Sequence, residues 1–429
     1  MKKKYRIILY TSIFLLCVVA SIILVVKKSN SVYEEESKPK VVKHKSMLSM
    51  NLEQTAGAGD YKTVTQSSWP TEGYKFNAEL SRCENGSTLS WDDTKKAVIV
   101  SGNLSDKCYV YFDIYQPTLA EYIKSQYTGT QGENNIYYHD SDLANGAGDN
   151  SYRYAGANPN NFVCFGSDTS PCPTDNLYRI IGVFGENYHG VTGKQLVKLI
   201  KYDYMTTDEL GTDGDYSQTY KEWGMDSTYK GTYGDGERIG VYYWNYKATG
   251  SSTNTWSTSL LNKTNLNTNF INNIGTTWAN KIATTTWKVG GNTEANIKDV
   301  LPATTYLNEI TNPVITNTTD NATTYSAKIG LMYVSDYGFA ASPDAWTLTM
   351  SSYNNTTAKN NNWMYMGLYE WTISRNADDS YFAFNVDGGG GVDSDYVDFY
   401  RGVRASFSLE SSVSYVSGSG SMSDPIVIN

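Results

Sequence analysis

The distribution of hydrophobic residues divides the chain into an apolar N-terminal run, a polar stretch and a long remainder rich in short strand-like segments. Ile7–Val26 contains twenty residues without a charge, with four basic residues before it and Lys27 and Lys28 after it. A helix of this length spans about 30 Å, the thickness of the hydrocarbon core of a bilayer. We therefore predict a signal anchor over residues 1–28. A cleaved secretory signal is the alternative.

The charges around this run predict the orientation of the chain. Four basic residues precede the apolar run, whereas Glu34, Glu35 and Glu36 soon follow it. Positive residues tend to remain on the cytoplasmic side. The expected arrangement is a single-pass cell-membrane protein with a cytoplasmic N-terminus and an extracellular bulk.

The polar stretch is followed by a short segment with β patterning. Residues 29–60 are polar and mixed in charge, so we interpret them as a tether. Residues 61–115 predict a small β domain, because Thr88–Trp91 and Lys96–Ser101 are strand-like and are separated by turn residues. Cys108–Asp113 alternates and predicts the closing strand.

Residues 116–161 are expected to form one helix and a linker. After Pro117, which suits the first turn of a helix, Leu119, Ile123 and Tyr127 recur on one face. The sequence then stays polar and rich in Gly, Asn and Asp up to about residue 161.

The largest region, residues 162–429, mixes many short strands with two or three helices, which favours an α+β fold. Leu177–Phe184 and Gln195–Tyr202 predict a hairpin, and Trp256–Ile274 predicts a helix. Further strands are predicted at Lys328–Val334, Glu370–Arg375, Ser380–Asn385, Val403–Leu409 and Pro425–Ile428.

The cysteines agree with export. Four cysteines follow the apolar run, namely Cys83, Cys108, Cys164 and Cys172. An even number in an exported region predicts disulfides, and sequence proximity favours Cys83–Cys108 and Cys164–Cys172 among the three connectivities. A zinc site would need short Cys-x-x-Cys spacings, which the sequence lacks.

Several segments of the large region resemble an exported bacterial domain family of unknown function. The matching segments are Cys164–Gly166, Asp175–Gly182, Trp256–Asn262, Ile329–Asp336, Glu370–Arg375, Gly402–Arg404 and Ser423–Pro425. That family is similar in fold to C-type lectins and to formylglycine-generating enzymes. The segment from Cys83 to Tyr111 also resembles a small domain often found before it.

The resemblance implies structural roles more than chemistry. It places Trp371, Arg375 and Arg404 in the positions that stabilise the C-terminal core of such folds. It does not imply formylglycine-generating activity, because that activity uses paired C-terminal cysteines and no cysteine follows Cys172.

Composition and charge argue against one class of ligand, nucleic acid, and make another, calcium, a candidate. A formal net charge of −9 argues against nucleic-acid binding, which requires a basic face. Calcium is a candidate ligand because oxygen-bearing side chains cluster in Gly-rich loops, the alternative being solvated turn carboxylates. The two clusters are Asp213, Asp215, Asp226, Asp235 and Glu237, and Asp387, Asp393, Asp395 and Asp398.

The segment between Asn376 and Tyr400 combines aromatic residues with short polar ones, a composition typical of adaptable binding surfaces. The candidate ligand-binding residues are Tyr381, Asp387, Asp393, Asp395, Tyr396, Asp398 and Tyr400. We interpret the protein as a membrane-anchored binding or adhesion protein with an extracellular glycan or protein ligand. An exported enzyme acting on cell-wall or glycan material is the alternative, with no catalytic residue assigned, and a structural envelope protein is a third hypothesis.

The anchor can be tested by extraction. If Ile7–Val26 spans the bilayer, carbonate or high-salt washing of membranes will leave the protein in the pellet, because about twenty buried apolar residues hold it there. Recovery of a mature form in the medium, with its N-terminus near residue 30, would instead establish a cleaved signal.

Overall fold

The chain forms two compact units whose boundary falls between Gln116 and Pro117. The computed structural model describes residues 48–65, 68–70, 73–103, 105–185, 189, 192–217, 229–232, 239–314 and 322–429. The predicted anchor Ile7–Val26 and the first part of the predicted tether lie outside these residues. Within the described ranges, no helix has the length and apolar character needed to cross a bilayer.

The N-terminal unit contains a five-stranded mixed sheet and a separate hairpin. Its strands are β1 (Leu48–Glu53), β2 (Tyr61–Val64), β3 (Tyr74–Phe76), β4 (Arg82–Cys83), β5 (Thr88–Asp92), β6 (Ala97–Ser101) and β7 (Cys108–Ile114). The sheet has the order β2-β1-β7-β3, with β4 also paired to β7. β1 and β7 run parallel, whereas β5 and β6 form the antiparallel hairpin that the sequence predicts.

The predicted tether, residues 29–60, extends too far along the chain, because β1 (Leu48–Glu53) falls within it and lies inside the sheet. Met50 and Leu52 of β1 are buried with Val110 and Phe112 of β7. Both strands alternate apolar and polar residues, as expected for a sheet with one buried face. This core is small, and the Cys83–Cys108 disulfide joins its sheet at a directly paired position, with Cα atoms 4.0 Å apart.

The C-terminal unit has a larger set of strands arranged in several sheets. They are β8 (Ile136–His139), β9 (Ser151–Tyr154), β10 (Phe162–Cys164), β11 (Leu177–Phe184), β12 (Leu196–Lys201), β13 (Tyr242–Tyr243), β14 (Thr285–Lys288), β15 (Thr324–Ala327), β16 (Ile329–Gly330), β17 (Glu370–Arg375), β18 (Phe382–Val386), β19 (Val392–Tyr396), β20 (Tyr400–Arg401), β21 (Ser406–Ser408), β22 (Tyr415–Ser417) and β23 (Val427–Ile428).

Short helices connect these strands. The α-helices are α1 (Leu119–Ser125), α2 (Thr207–Leu210), α3 (Ile271–Ala279), α4 (Glu294–Lys298), α5 (Pro302–Tyr306), α6 (Val334–Ala340) and α7 (Thr356–Asn360). Leu261–Phe270 and Leu307–Thr311 are π-helical, and 3₁₀ turns lie at Glu133–Asn135, Thr174–Asn176, Trp256–Thr258, Pro343–Thr347 and Met350–Asn354. The predicted helix over Trp256–Ile274 therefore starts with a 3₁₀ turn and continues into α3.

The main sheet has the strand order β16-β21-β12-β11-β9-β8, with β10 also paired to β11. The predicted hairpin of β11 and β12 is confirmed as an antiparallel pair. Residues 116–161 begin with the predicted helix, α1, but the segment expected to be a linker supplies β8 and β9. These strands are hard to recognise because buried polar residues, including Ser151 and Arg153, interrupt their apolar pattern.

A second sheet, with the order β17-β18-β19, carries the segment singled out as the candidate site. Trp371 and Ile373 of β17 are fully buried in the core of the unit. The strand predicted at Lys328–Val334 is shorter than expected, because only Ile329–Gly330 pairs and α6 already begins at Val334. The observed architecture is a mixed α and β fold with two disulfides, as predicted at the level of fold class.

The two disulfides are expected to differ in importance. Cys83→Ser/Cys108→Ser opens a loop of 25 residues in a unit with a small core, so we expect a loss of about 3 kcal/mol and unfolding of that unit. The Cys164–Cys172 disulfide closes a loop of only 8 residues. For Cys164→Ser/Cys172→Ser we therefore expect faster amide exchange confined to residues 162–176. Hydrogen exchange of both variants measures this difference. Equal and global loosening in the second variant would contradict it.

Candidate ligand-binding surface

The candidate segment folds into an antiparallel ladder at the outer part of the β17-β18-β19 sheet. Phe382 pairs with Tyr396, and Asn385 pairs with Asp393. Because neighbouring residues of a strand point to opposite faces, Tyr396 lies on one face of β19 and Asp393 and Asp395 lie on the other. The ladder therefore separates the aromatic candidates from two of the acidic ones.

Aromatic rings form a continuous exposed group at the end of this ladder. The ring centroids of Phe382 and Tyr396 are 4.2 Å apart, and those of Tyr396 and Phe399 are 5.5 Å apart. The Arg401 guanidinium lies 5.5 Å from the Phe399 ring and 4.6 Å from the Tyr369 ring. We call these five residues the aromatic surface. Tyr396 and Phe399 remain 47% and 44% exposed, although each ring has an aromatic neighbour.

The backbone under the aromatic surface is fixed by hydrogen bonds. The Phe399 amide donates to the Tyr396 carbonyl at 2.8 Å, which closes a tight turn. Val397 lies between these two residues and is buried. Its amide donates to the Tyr381 carbonyl, and its own carbonyl accepts the amide of Trp244. A turn held in this way presents its rings with little conformational freedom left to lose on binding.

The remaining aromatic candidates lie at the edges of this region. Tyr381 is 43% exposed, next to Phe382 in sequence. Tyr400 is half-buried in β20, where it pairs with Tyr243 of β13. Tyr400 is therefore part of a strand more than of an open surface.

The carboxylates of the segment have partners that explain their positions. Asp387 accepts the amides of Gly389 and Gly391 and so stabilises the glycine turn. Asp393 forms an ion pair with Lys298 at 2.8 Å, and Asp395 forms one with Arg401. Asp398 is exposed.

The first acidic cluster is explained in the same way where the structure describes it. Asp215 is buried and accepts the amides of Leu260 and Leu261 at 2.7 and 2.8 Å, and burial raises the pKa of its carboxyl. Asp213 accepts the Asn269 amide group. Asp226, Asp235 and Glu237 lie outside the described residues. In the part of the chain that is described, no group of three or more His, Cys, Asp or Glu side chains is placed to hold a metal ion.

The three residues expected to be structural are all fully buried or nearly so. Trp371 donates its indole N–H to the Tyr242 carbonyl at 2.9 Å, and Arg375 donates to the Val289 carbonyl at 3.0 Å. Arg404 forms a bidentate ion pair with Glu370, at 2.7 and 2.9 Å. These contacts join the second sheet to neighbouring segments of the unit.

Two groups of buried charged residues were not anticipated from the sequence. In one, Asp149 forms an ion pair with Arg153 at 2.7 Å and contacts the His189 ring at 3.4 Å, and burial lowers the pKa of His189, which favours its neutral form. In the other, Lys198 contacts Asp336. Lys198 and Asp336 give no recognisable pattern because they are 138 positions apart, whereas Asp149 and Arg153 are only four apart and are missed because nothing in the sequence marks them as buried.

A small cleft lies next to these groups and bears on the enzymatic alternative. It is lined by His189, Lys198, Thr285, Trp287, Tyr333 and Ser408. None of the described residues that line it is a carboxylate, whereas a glycan-cleaving site would need a pair of them. Two carboxyl groups, those of Asp336 and Asp149, contact the lining residues Lys198 and His189 but are not among the described residues that line the cleft.

Four members of the aromatic surface were not among the candidate site residues, namely Phe382, Phe399, Arg401 and Tyr369. The available signal in the sequence was the position of Arg401, two residues after the aromatic residue Phe399.

Comparisons with protein-family models, with curated proteins and with solved structures found no significant match to this chain.

Proposed function

We propose that the protein is a membrane-anchored extracellular binding protein and that the aromatic surface is its ligand-binding site. The observation that carries this proposal is the exposure of Tyr396 and Phe399 on a hydrogen-bonded turn. Large exposed rings in contact with one another are costly to leave in water, so their grouping favours a role in recognition. The rigid turn lowers the entropic cost of binding.

The chemistry of the aromatic surface fits a glycan ligand best. Aromatic faces provide apolar contact area, and the hydroxyl of the exposed Tyr396 can donate and accept hydrogen bonds with ligand hydroxyl groups. A protein ligand would use the same rings, so the assay below includes it as a second class. The C-type-lectin-like fold of residues 162–429 and the preceding small domain belong to this proposal on the strength of the sequence resemblance.

The N-terminal segment supports the proposed location. The apolar run Ile7–Val26 and the charges around it favour an anchor with the two folded units outside the cell. The two disulfides are consistent with an oxidising compartment. Together these features support a location of the aromatic surface where extracellular glycans or proteins are accessible.

The binding proposal is tested with Tyr396→Ala/Phe399→Ala in the full chain. Binding to immobilised cell-wall glycans, or to a partner recovered by cell-surface pull-down with wild-type protein, is expected to weaken roughly tenfold or more, because aromatic anchors dominate such contacts. The melting temperature is expected to stay nearly unchanged, since both side chains are exposed.

Leu307→Ala is the matched control, because Leu307 is 46% exposed and lies in a different segment, Leu307–Thr311. It should bind like the wild type. Unchanged binding by the double variant would remove the aromatic surface as the site. A large fall in its melting temperature would show that the two rings are core residues.

A further inference from the structure

Lys198 and Asp336 form an unusually close and fully enclosed pair in the C-terminal unit. The Lys198 Nζ atom lies 2.5 Å from the Asp336 Oδ2 atom, and their side chains are 4% and 0% exposed. Lys198 lies on β12 of the main sheet, whereas Asp336 lies in the first turn of α6. The two residues are 138 positions apart in sequence, so their approach is fixed by the tertiary fold.

The surroundings of the pair are mainly aromatic. The Lys198 ammonium position lies 4.2 Å from the Tyr333 ring centroid, 5.2 Å from that of Trp287 and 5.9 Å from that of Phe184. Burial lowers the pKa of the Lys198 amine, although the charge of Asp336 opposes this effect. Such an environment favours the neutral amine, which is the nucleophilic form.

A second buried carboxyl group, that of Glu309, lies next to Asp336. Asp336 accepts the amide of Tyr333 at 2.9 Å, and Glu309 accepts the next two amides, of Val334 and Ser335, at 2.8 and 2.9 Å. The Ser374 hydroxyl also donates a hydrogen bond to the Glu309 carboxyl group. Burial raises the pKa of Glu309, which favours its protonated form and hence its ability to donate a proton.

We propose that Lys198 and Asp336 condense to an intramolecular isopeptide bond between Nζ and Cγ, and that Glu309 transfers the protons for this reaction. The proposal concerns a covalent modification of the fold and does not depend on the binding function proposed above.

The reaction balances without any further reagent. A proton first passes from the lysine ammonium to the aspartate, which gives a neutral amine and a neutral acid. With that proton on Oδ2, Nζ attacks Cγ, and Glu309 donates a proton to Oδ1 and takes one from Nζ, which gives a neutral tetrahedral carbon with two hydroxyl groups. Glu309 then protonates the Oδ1 hydroxyl, the Cγ–Oδ1 bond breaks, and the Oδ2 proton passes to Glu309 to leave a carbonyl. One water molecule leaves, and an amide replaces the ion pair.

One unsatisfied atom supports this assignment. Asp336 Oδ1 is buried and has no hydrogen-bond partner among the described residues, whereas Oδ2 keeps the Tyr333 amide. A buried carboxylate oxygen without a partner is costly. Loss of Oδ1 as water removes that cost, and the Oδ2 atom remains as the amide oxygen. Lys198 also lines the small cleft beside Trp287 and Tyr333, so the pair borders this cleft.

Intact mass spectrometry of the full chain, denatured and with its disulfides reduced, tests the proposal directly. The expected mass is that of the sequence minus one water molecule. Trypsin should give a branched peptide in which the segment containing Lys198 is joined to the segment containing Asp336. The full sequence mass, with separate linear peptides cleaved after Lys198, would show an ordinary ion pair and overturn the proposal.

Two variants test the assignment of residues. Asp336→Ala and Glu309→Gln should both show the full mass, and Glu309→Gln should do so while keeping the near-ultraviolet circular dichroism of the wild type. Lys201→Arg is the matched control, because Lys201 is a buried lysine of the same strand paired with Glu209, and it should keep the mass deficit. A mass deficit that persists in Glu309→Gln would overturn the role of Glu309. If that variant does not fold, the wild-type branched peptide still decides whether the bond exists.

Discussion

The buried ion pair between Arg404 and Glu370 is the interaction on which the proposed binding surface most depends. Arg404 binds the carboxylate through two nitrogen atoms and also donates to the Met364 carbonyl at 2.6 Å. Burial raises the pKa of the Glu370 carboxyl, and the Arg404 charge opposes that rise. Removal of one partner would leave the other charge buried, which typically costs about 3–5 kcal/mol.

This pair connects the main sheet with the sheet that carries the aromatic surface. Glu370 begins β17, which pairs with β18, and β18 in turn pairs with β19. Arg404 directly precedes Ala405, whose carbonyl accepts the amide of Lys201 on β12. The exposed rings of Tyr396 and Phe399 are therefore attached to the core through a short series of hydrogen-bonded strands. A surface held in this way can remain apolar and exposed without rearranging.

Local patterns predicted the parts of the fold that depend on neighbours in sequence. The hairpin of β11 and β12, the start of α1 and the pairs Cys83–Cys108 and Cys164–Cys172 could all be expected, because each is defined within a few tens of residues. β1 could not be separated from the tether, since its parallel partner β7 lies about 60 residues later and only tertiary pairing shows that it is a strand.

The candidate site was predictable in location and less so in detail. The composition of residues 376–400 indicated the region, and Tyr396 is exposed there. The sequence could not show that Asp393 is paired with Lys298, because the lysine comes from a distant segment, or that Asp395 is paired with Arg401, because the turn between these two residues determines their approach. Buried charges such as Lys198, Glu309 and Arg153 were also missed, because hydrophobic patterning treats charged residues as surface residues.

Hydrogen exchange of Glu370→Gln, compared with the wild type, tests most directly whether the Arg404–Glu370 pair stabilises the sheet that carries the aromatic surface. Asp393→Asn is the control, because it removes the ion pair between Lys298 and Asp393 of the same sheet, and the Asp393 side chain is 53% exposed. Our account predicts that the amides of β17, β18 and β19 lose protection in Glu370→Gln and keep it in Asp393→Asn. Unchanged protection of these strands in Glu370→Gln would contradict it.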